Sequence, residues 1–177
     1  TILPGATLVL QRGMKLLIPS GTKLLVKSGG RLLVRDSSFI EFDDGIIECE
    51  DSTAVLEFDG FKPIWGTGTI AGARFDYHQG WWLYPPSSIV LAGGANLNCL
   101  SPSGSEYVRV GGTLTFTNSN LPYVFNDSLN TIAVYGDGIF EVKENVTLDN
   151  LPNVVGWDAS LVTATGTSGL PSRLQFR

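Results

Sequence analysis

Charge is what this chain has least of. Lys, Arg, Asp and Glu make up 16% of its 177 residues, against 43% hydrophobic, and that balance excludes an intrinsically disordered chain. Histidine occurs once, as His78, and cysteine twice, as Cys49 and Cys99. A zinc site needs several such ligands at close spacing, and no such pattern is present. No metal and no cofactor is expected. Two cysteines permit at most one disulfide, and each sits in a strand-like run (IIECE, LNC), where a small buried core thiol is the simpler reading. Missing too is any run of the roughly 18–20 apolar residues that a spanning helix requires, and the N-terminus has no basic region leading into an apolar one. Membrane insertion is not expected.

Present instead are 21 glycines and 9 prolines, so turns must be frequent in a chain long enough to bury a core. The glycines are not scattered. Cut every eight residues, the stretch from Gly5 to Asp36 reads GATLVLQR, GMKLLIPS, GTKLLVKS, GGRLLVRD. Apolar pairs two apart recur with that step: Leu8/Leu10, Leu16/Ile18, Leu24/Val26, Leu32/Val34 and Ile40/Phe42, with Ile47/Cys49 one residue short and Leu56/Phe58 back in step. Side chains two apart on a strand share a face, so each pair can point inward while the residue between points outward. Glycine turns the corner, because it alone takes positive φ at little cost. The apolar period is not 3.6, which opposes a helix. A fixed step of short strands predicts an all-β parallel β-helix or β-solenoid. One domain is expected over residues 1–177. Residues 1–60 would be its regular octads, 61–88 an interrupted rung and loop with an aromatic-rich excursion near 73–88, and 89–177 less regular rungs.

The octads resemble the β-helix repeats of secreted adhesins and of bacteriophage virion proteins such as capsid decoration or cement proteins, tailspikes and fibres. The segment GTGTIAG, Gly66 to Gly72, is similar to a glycine rung of pectin-degrading and tailspike β-helices. The resemblance implies a virion surface location, or an extracellular one for an adhesin.

The middle letter of each octad carries the functional question. It is Val9, Leu17, Leu25 and Leu33, then Glu41, Glu48 and Glu57. Four outward apolar side chains left in water would forgo roughly 1.5–3 kcal/mol each, comparable in sum with the stability of a domain. They are expected to be covered, by the chain's own later segment or by other subunits as in a homotrimer. Basic residues flank them: Lys15, Lys23 and Arg31 at one octad position, Lys27 and Arg35 at another. Residues 1–36 hold six basic residues against the single acid Asp36, a net of +5, leaving −10 for the rest of a chain whose total is −5. Eight acids and no Lys or Arg lie between Glu41 and Asp59. They could meet the basic rungs in cis, or an acidic surface such as a capsid or tail protein could do so from outside. The basic charge forms no overall basic face, so specific nucleic-acid recognition is not expected.

Chemistry is harder to find. The pair Asp43-Asp44 lies in FDDG, a turn-like setting in which strand neighbours would point apart. The paired aspartates, G-H-G and R-x-K patterns that the pectinase likeness would imply are absent. Asp76 and His78, two apart, could form an acid/base dyad, but no nucleophile is placed beside them, so an enzyme is not expected. The aromatic group Tyr77, Trp81, Trp82 and Tyr84 offers stacking faces for a subunit or a host polysaccharide. A depolymerising or glycan-binding tailspike fragment is the rival of the structural reading.

Overall fold

The computed structural model describes residues 1–93 apart from Asp36 and Ala73, and then 96–99, 107–117, 122–124, 131–134, 136–143, 147–149, 153–156, 161–164 and 174–176. It is an all-β chain whose parallel strands stack as a β-solenoid of about 4 turns. The first coil is made of β1 (Thr7–Leu10), β2 (Lys15–Ile18) and β3 (Lys23–Val26), and the second of β4 (Arg31–Val34) and the long β5 (Phe39–Cys49). β6 (Val55–Phe58) and β7 (Lys62–Ala71) form the third. The fourth holds β8 (Arg74–Tyr77), β9 (Gly80–Leu83) and β10 (Ser88–Ala92), followed by β11 (Asn96–Cys99), β12 (Tyr107–Val110) and β13 (Thr113–Phe116).

The eight-residue step is one side of the coil, and three steps make a turn. Leu8 pairs with Leu32 and Leu32 with Leu56, 24 residues apart each time. β1, β4, β6, β8 and β11 form one side. β2, the first half of β5, the start of β7, β9 and β12 form the second. β3, the second half of β5, the end of β7, β10 and β13 form the third. The octad glycines Gly5, Gly13, Gly21 and Gly29 have φ of 67° to 79°, so they are the corners that the repeat predicts.

The inward pairs become continuous columns. On the first side Leu8, Leu32, Leu56, Phe75 and Leu97 stack in register, and on the second Leu16, Ile40, Ile64, Leu83 and Val110 do. From Leu10 onward the interior side chains whose burial is described are almost wholly buried, apart from the half-buried Leu16 and Leu24; each fully buried one contributes roughly 1.5–3 kcal/mol. Ile89/Leu91, Val108/Val110 and Leu114/Phe116 continue the buried core as their spacing implies.

The described residues of the 73–88 segment, from Arg74 on, do not leave the coil. β8 and β9 pair in register with β6 and β7, and the turn merely shortens, Leu56 to Phe75 spanning 19 residues. A regular octad hid this, because the shortened corners at Gly72 and Gly80, both at positive φ, break the period without breaking the stack.

Candidate functional site

Because an octad is a side and not a turn, the four middle letters do not form one column. Val9 and Leu33 are neighbours on the first side, while Leu17 lies below Glu41 on the second and Leu25 below Glu48 on the third. Leu33 is buried at 8% exposure, Val9 and Leu25 are half-buried, and Leu17 stays exposed at 44%. With it are Leu3 at 65%, Met14 at 50% and Leu8 at 39%. Leu8 occupies an inward position of the first coil and is nonetheless exposed. These exposed apolar side chains all belong to the first coil and the residues leading into it.

The basic residues find acids in cis, one coil up. Lys15 Nζ lies 2.9 Å from Glu41, Lys23 Nζ 2.5 Å from Glu48 and Lys27 Nζ 2.7 Å from Glu50, and Arg31 pairs with Glu57. In three of these the cation reaches diagonally, from beside an apolar middle residue to the Glu stacked on that residue. Arg35 and Arg12 have no ion pair among the described residues. At the third corner the contact becomes a clasp. The Ser28 amide donates to Glu50 at 3.1 Å and its hydroxyl to Asp51 at 2.6 Å, while the Thr53 amide donates to Asp51 at 2.8 Å. The Thr53 hydroxyl oxygen in turn accepts the Gly29 amide at 2.8 Å. Hydrogen bonds from Ser28 and then Thr53 hold the Asp51 carboxyl down at about 2, and the Lys27 hydrogen bond above all lowers Glu50.

The first side carries a cluster that the sequence pattern concealed. Glu57 and Asp76 are register partners on neighbouring coils, both buried. Arg31 and His78 Nε2, the latter at 3.2 Å, contact Glu57, and Arg74 Nε donates to Asp76 at 3.0 Å. A cavity of about 310 Å³ opens beside them, lined by Gly29, Gly30, Arg31, Val55, Glu57, Arg74 and Asp76. No serine or cysteine is among its lining residues, and each carboxylate already has an arginine, so the arrangement is a charge-balanced network. Sequence reasoning had Asp76 and His78 but missed Glu57, Arg31 and Arg74 as their neighbours; only the turn length brings residues 31, 57 and 74 together.

The aromatic group divides. Tyr77 and Trp81 are core, buried to 1% and 0%, with Trp81 stacked on Phe75 at 5.5 Å between centroids. The strand alternation of β8 and β9 turns them inward, so neither offers an external face. Trp82 and Tyr84 point outward and stack at 4.0 Å, and Tyr84 stacks in turn on Trp65 at 4.2 Å and 10°. Trp65 is thus the third ring of this stack. Asp43 and Asp44 lie exposed at the corner where β5 crosses from the second side to the third, Asp44 at φ 57° and the register shifting there. Cys49 is a free, buried thiol, pushed up to about 12 by burial first and by Asp51 and Glu48 after it. Among the described residues no group of His, Cys, Asp or Glu could hold a metal ion.

The fold defines the class, a parallel β-solenoid. No protein-family model, curated protein or solved structure matches the chain.

Proposed function

We propose that the protein is a non-enzymatic structural solenoid that assembles as a homotrimer on the surface of a bacteriophage particle, as a capsid decoration or cement protein does. The observation that supports this is the exposed apolar surface of the first coil, where Leu3, Leu8, Met14 and Leu17 are 39% to 65% exposed. An apolar surface of this kind is stabilised by a partner, at roughly 1.5–3 kcal/mol for each side chain fully covered, against an association cost of several kcal/mol. Three first coils meeting about a three-fold axis would bury it. Arg12 and Arg35, which have no ion pair among the described residues, are available to an acidic capsid or tail partner. The phage setting rests on the likeness of the octads and of the glycine rung, and a secreted adhesin would use the same surface.

Sedimentation equilibrium of the purified chain tests the reading. The expected mass is three times that of the monomer, falling to the monomer in a Leu8→Glu, Leu17→Glu double variant with an unchanged circular dichroism spectrum. A wild-type chain that stays monomeric up to high micromolar concentration would overturn it.

A further inference from the structure

The second side of the coil carries a cleft of about 650 Å³, lined by Phe39, Glu41, Pro63, Trp65, Thr67 and Ser87 among others. We infer that this cleft is a binding site for a neutral saccharide, which stacks on Trp65 and donates hydroxyl hydrogen bonds to Glu41. The inference is independent of the oligomer proposed above.

The coil's register builds the site. Leu17, Glu41 and Trp65 are successive register partners in one outward column, continued by the Tyr84 ring stacked on Trp65; beside it Lys15 pairs with Phe39, Pro63 with Trp82 and Trp82 with Arg109. Tyr84 covers one face of the Trp65 indole, sandwiched between Trp65 and Trp82. The indole lines the cleft, and the ring remains 36% exposed. Three stacked rings anchored on two rigid strands lose little freedom when a ligand arrives, so the platform is preorganised. A flat indole face suits the C–H face of a pyranose ring, and the cleft's volume falls in the usual range for small-ligand sites.

The polar groups decide the ligand class. Glu41 is an acceptor only, as an ionised carboxylate must be; its Oε2 takes the Lys15 ammonium at 2.9 Å, which leaves acceptor capacity for sugar hydroxyls. The Ser87 Oγ accepts the Gly66 amide at 2.9 Å, so its own O–H remains to donate. A ligand matched to these groups brings O–H donors and acceptors around an apolar ring. A proline-rich peptide brings carbonyl acceptors and few donors, and leaves Glu41 unsatisfied. An acidic sugar places a second carboxylate against Glu41. A neutral sugar satisfies both terms.

Affinity electrophoresis of the whole chain in gels cast with dextran, galactomannan, mixed-linkage β-glucan or xylan, and with polygalacturonate or alginate as acidic counterparts, tests the site. Retardation by at least one neutral polymer is expected. Trp65→Ala should weaken it at least tenfold and Glu41→Gln several-fold, with Phe61→Ala, an exposed ring outside the cleft lining, behaving as wild type. Circular dichroism and a urea melt of each variant separate loss of the site from loss of fold, and Glu41→Gln keeps the test decisive if Trp65→Ala misfolds. Binding to none of the neutral polymers, binding to the acidic ones alone, retention in Glu41→Gln, or saturable binding of a polyproline peptide in their place would each sink the inference.

Discussion

At the scale of single residues, glycines that share a dihedral angle do not share a role. Gly13 and Gly66 both sit near φ +80°, where an L side chain is strained by about 1 kcal/mol or somewhat more. A Cβ on Gly13 would meet open space, whereas one on Gly66 would overlap the Phe42 carbonyl of the coil below. Gly13→Ala is expected to cost about 1 kcal/mol and Gly66→Ala about 3 kcal/mol or more, read from urea midpoints. Equal losses would show that the corner angle alone sets the cost. The Asp51 clasp makes a second prediction. Its carboxyl lies at about 2 in the folded chain and near 3.9 when unfolded. A group whose folded pKa is depressed contributes stability that is complete above the unfolded value and is lost as pH falls through the folded one. Between about pH 5 and pH 2 the wild type should therefore lose stability more steeply than Asp51→Asn, and the two curves should converge towards pH 2. Parallel curves over that window would remove Asp51 from the acid response. Part of this scale was legible: Cys49 read as a core thiol and is one, while FDDG read as turn-like and lies within β5, as a bend with Asp44 at positive φ and a shifted register. Trp81 was not, since the sequence does not say which of two adjacent tryptophans a strand turns inward.

At the scale of the element, the relevant unit is a pair of coils. A cation beside an apolar middle residue reaches the Glu stacked on that residue, 25 or 26 positions later: Lys15 to Glu41, Lys23 to Glu48, Arg31 to Glu57. The octad made these residues visible and the side/turn distinction kept their partners hidden. With an eight-residue turn the three cations would stack on one another; with a turn of three octads they stand on three different sides, each under an acid. The two kinds of pair should differ in worth. Lys15 and Glu41 are both well exposed, so Lys15→Ala should cost about 0.2–1 kcal/mol, and less in 1 M NaCl. Glu57 is buried with Arg31 and His78 as its partners, so Arg31→Ala strands most of a carboxylate's charge and should cost about 2 kcal/mol or more. That loss should persist in high salt, because a buried carboxylate is poorly screened. Denaturant titrations of the two variants at 0.05 and 1 M NaCl decide it; a salt-sensitive Arg31→Ala deficit would make the Glu57 network a surface pairing like the rest.

At the scale of the whole molecule, charge and apolar surface make separate claims on a partner. The +5 of residues 1–36 reads in isolation as basic rungs in need of acids, in cis or on a partner. In the folded chain four of its six cations are answered by Glu41, Glu48, Glu50 and Glu57, so the exposed apolar surface of the first coil is nearly neutral. Two identical surfaces can then approach without the repulsion that bare basic rungs would impose. Self-association through this surface should be unchanged or strengthened as NaCl rises from 0.05 to 1 M, since salt screens only the residual repulsion of Arg12 and Arg35 while apolar burial is insensitive to screening. Association driven by cation contacts would instead weaken steeply over the same range. Sedimentation velocity across that series separates the two. If the oligomer dissociates in high salt, the basic residues and not Leu8 and Leu17 hold it together, and the cis pairs seen in the single chain must open to serve the partner.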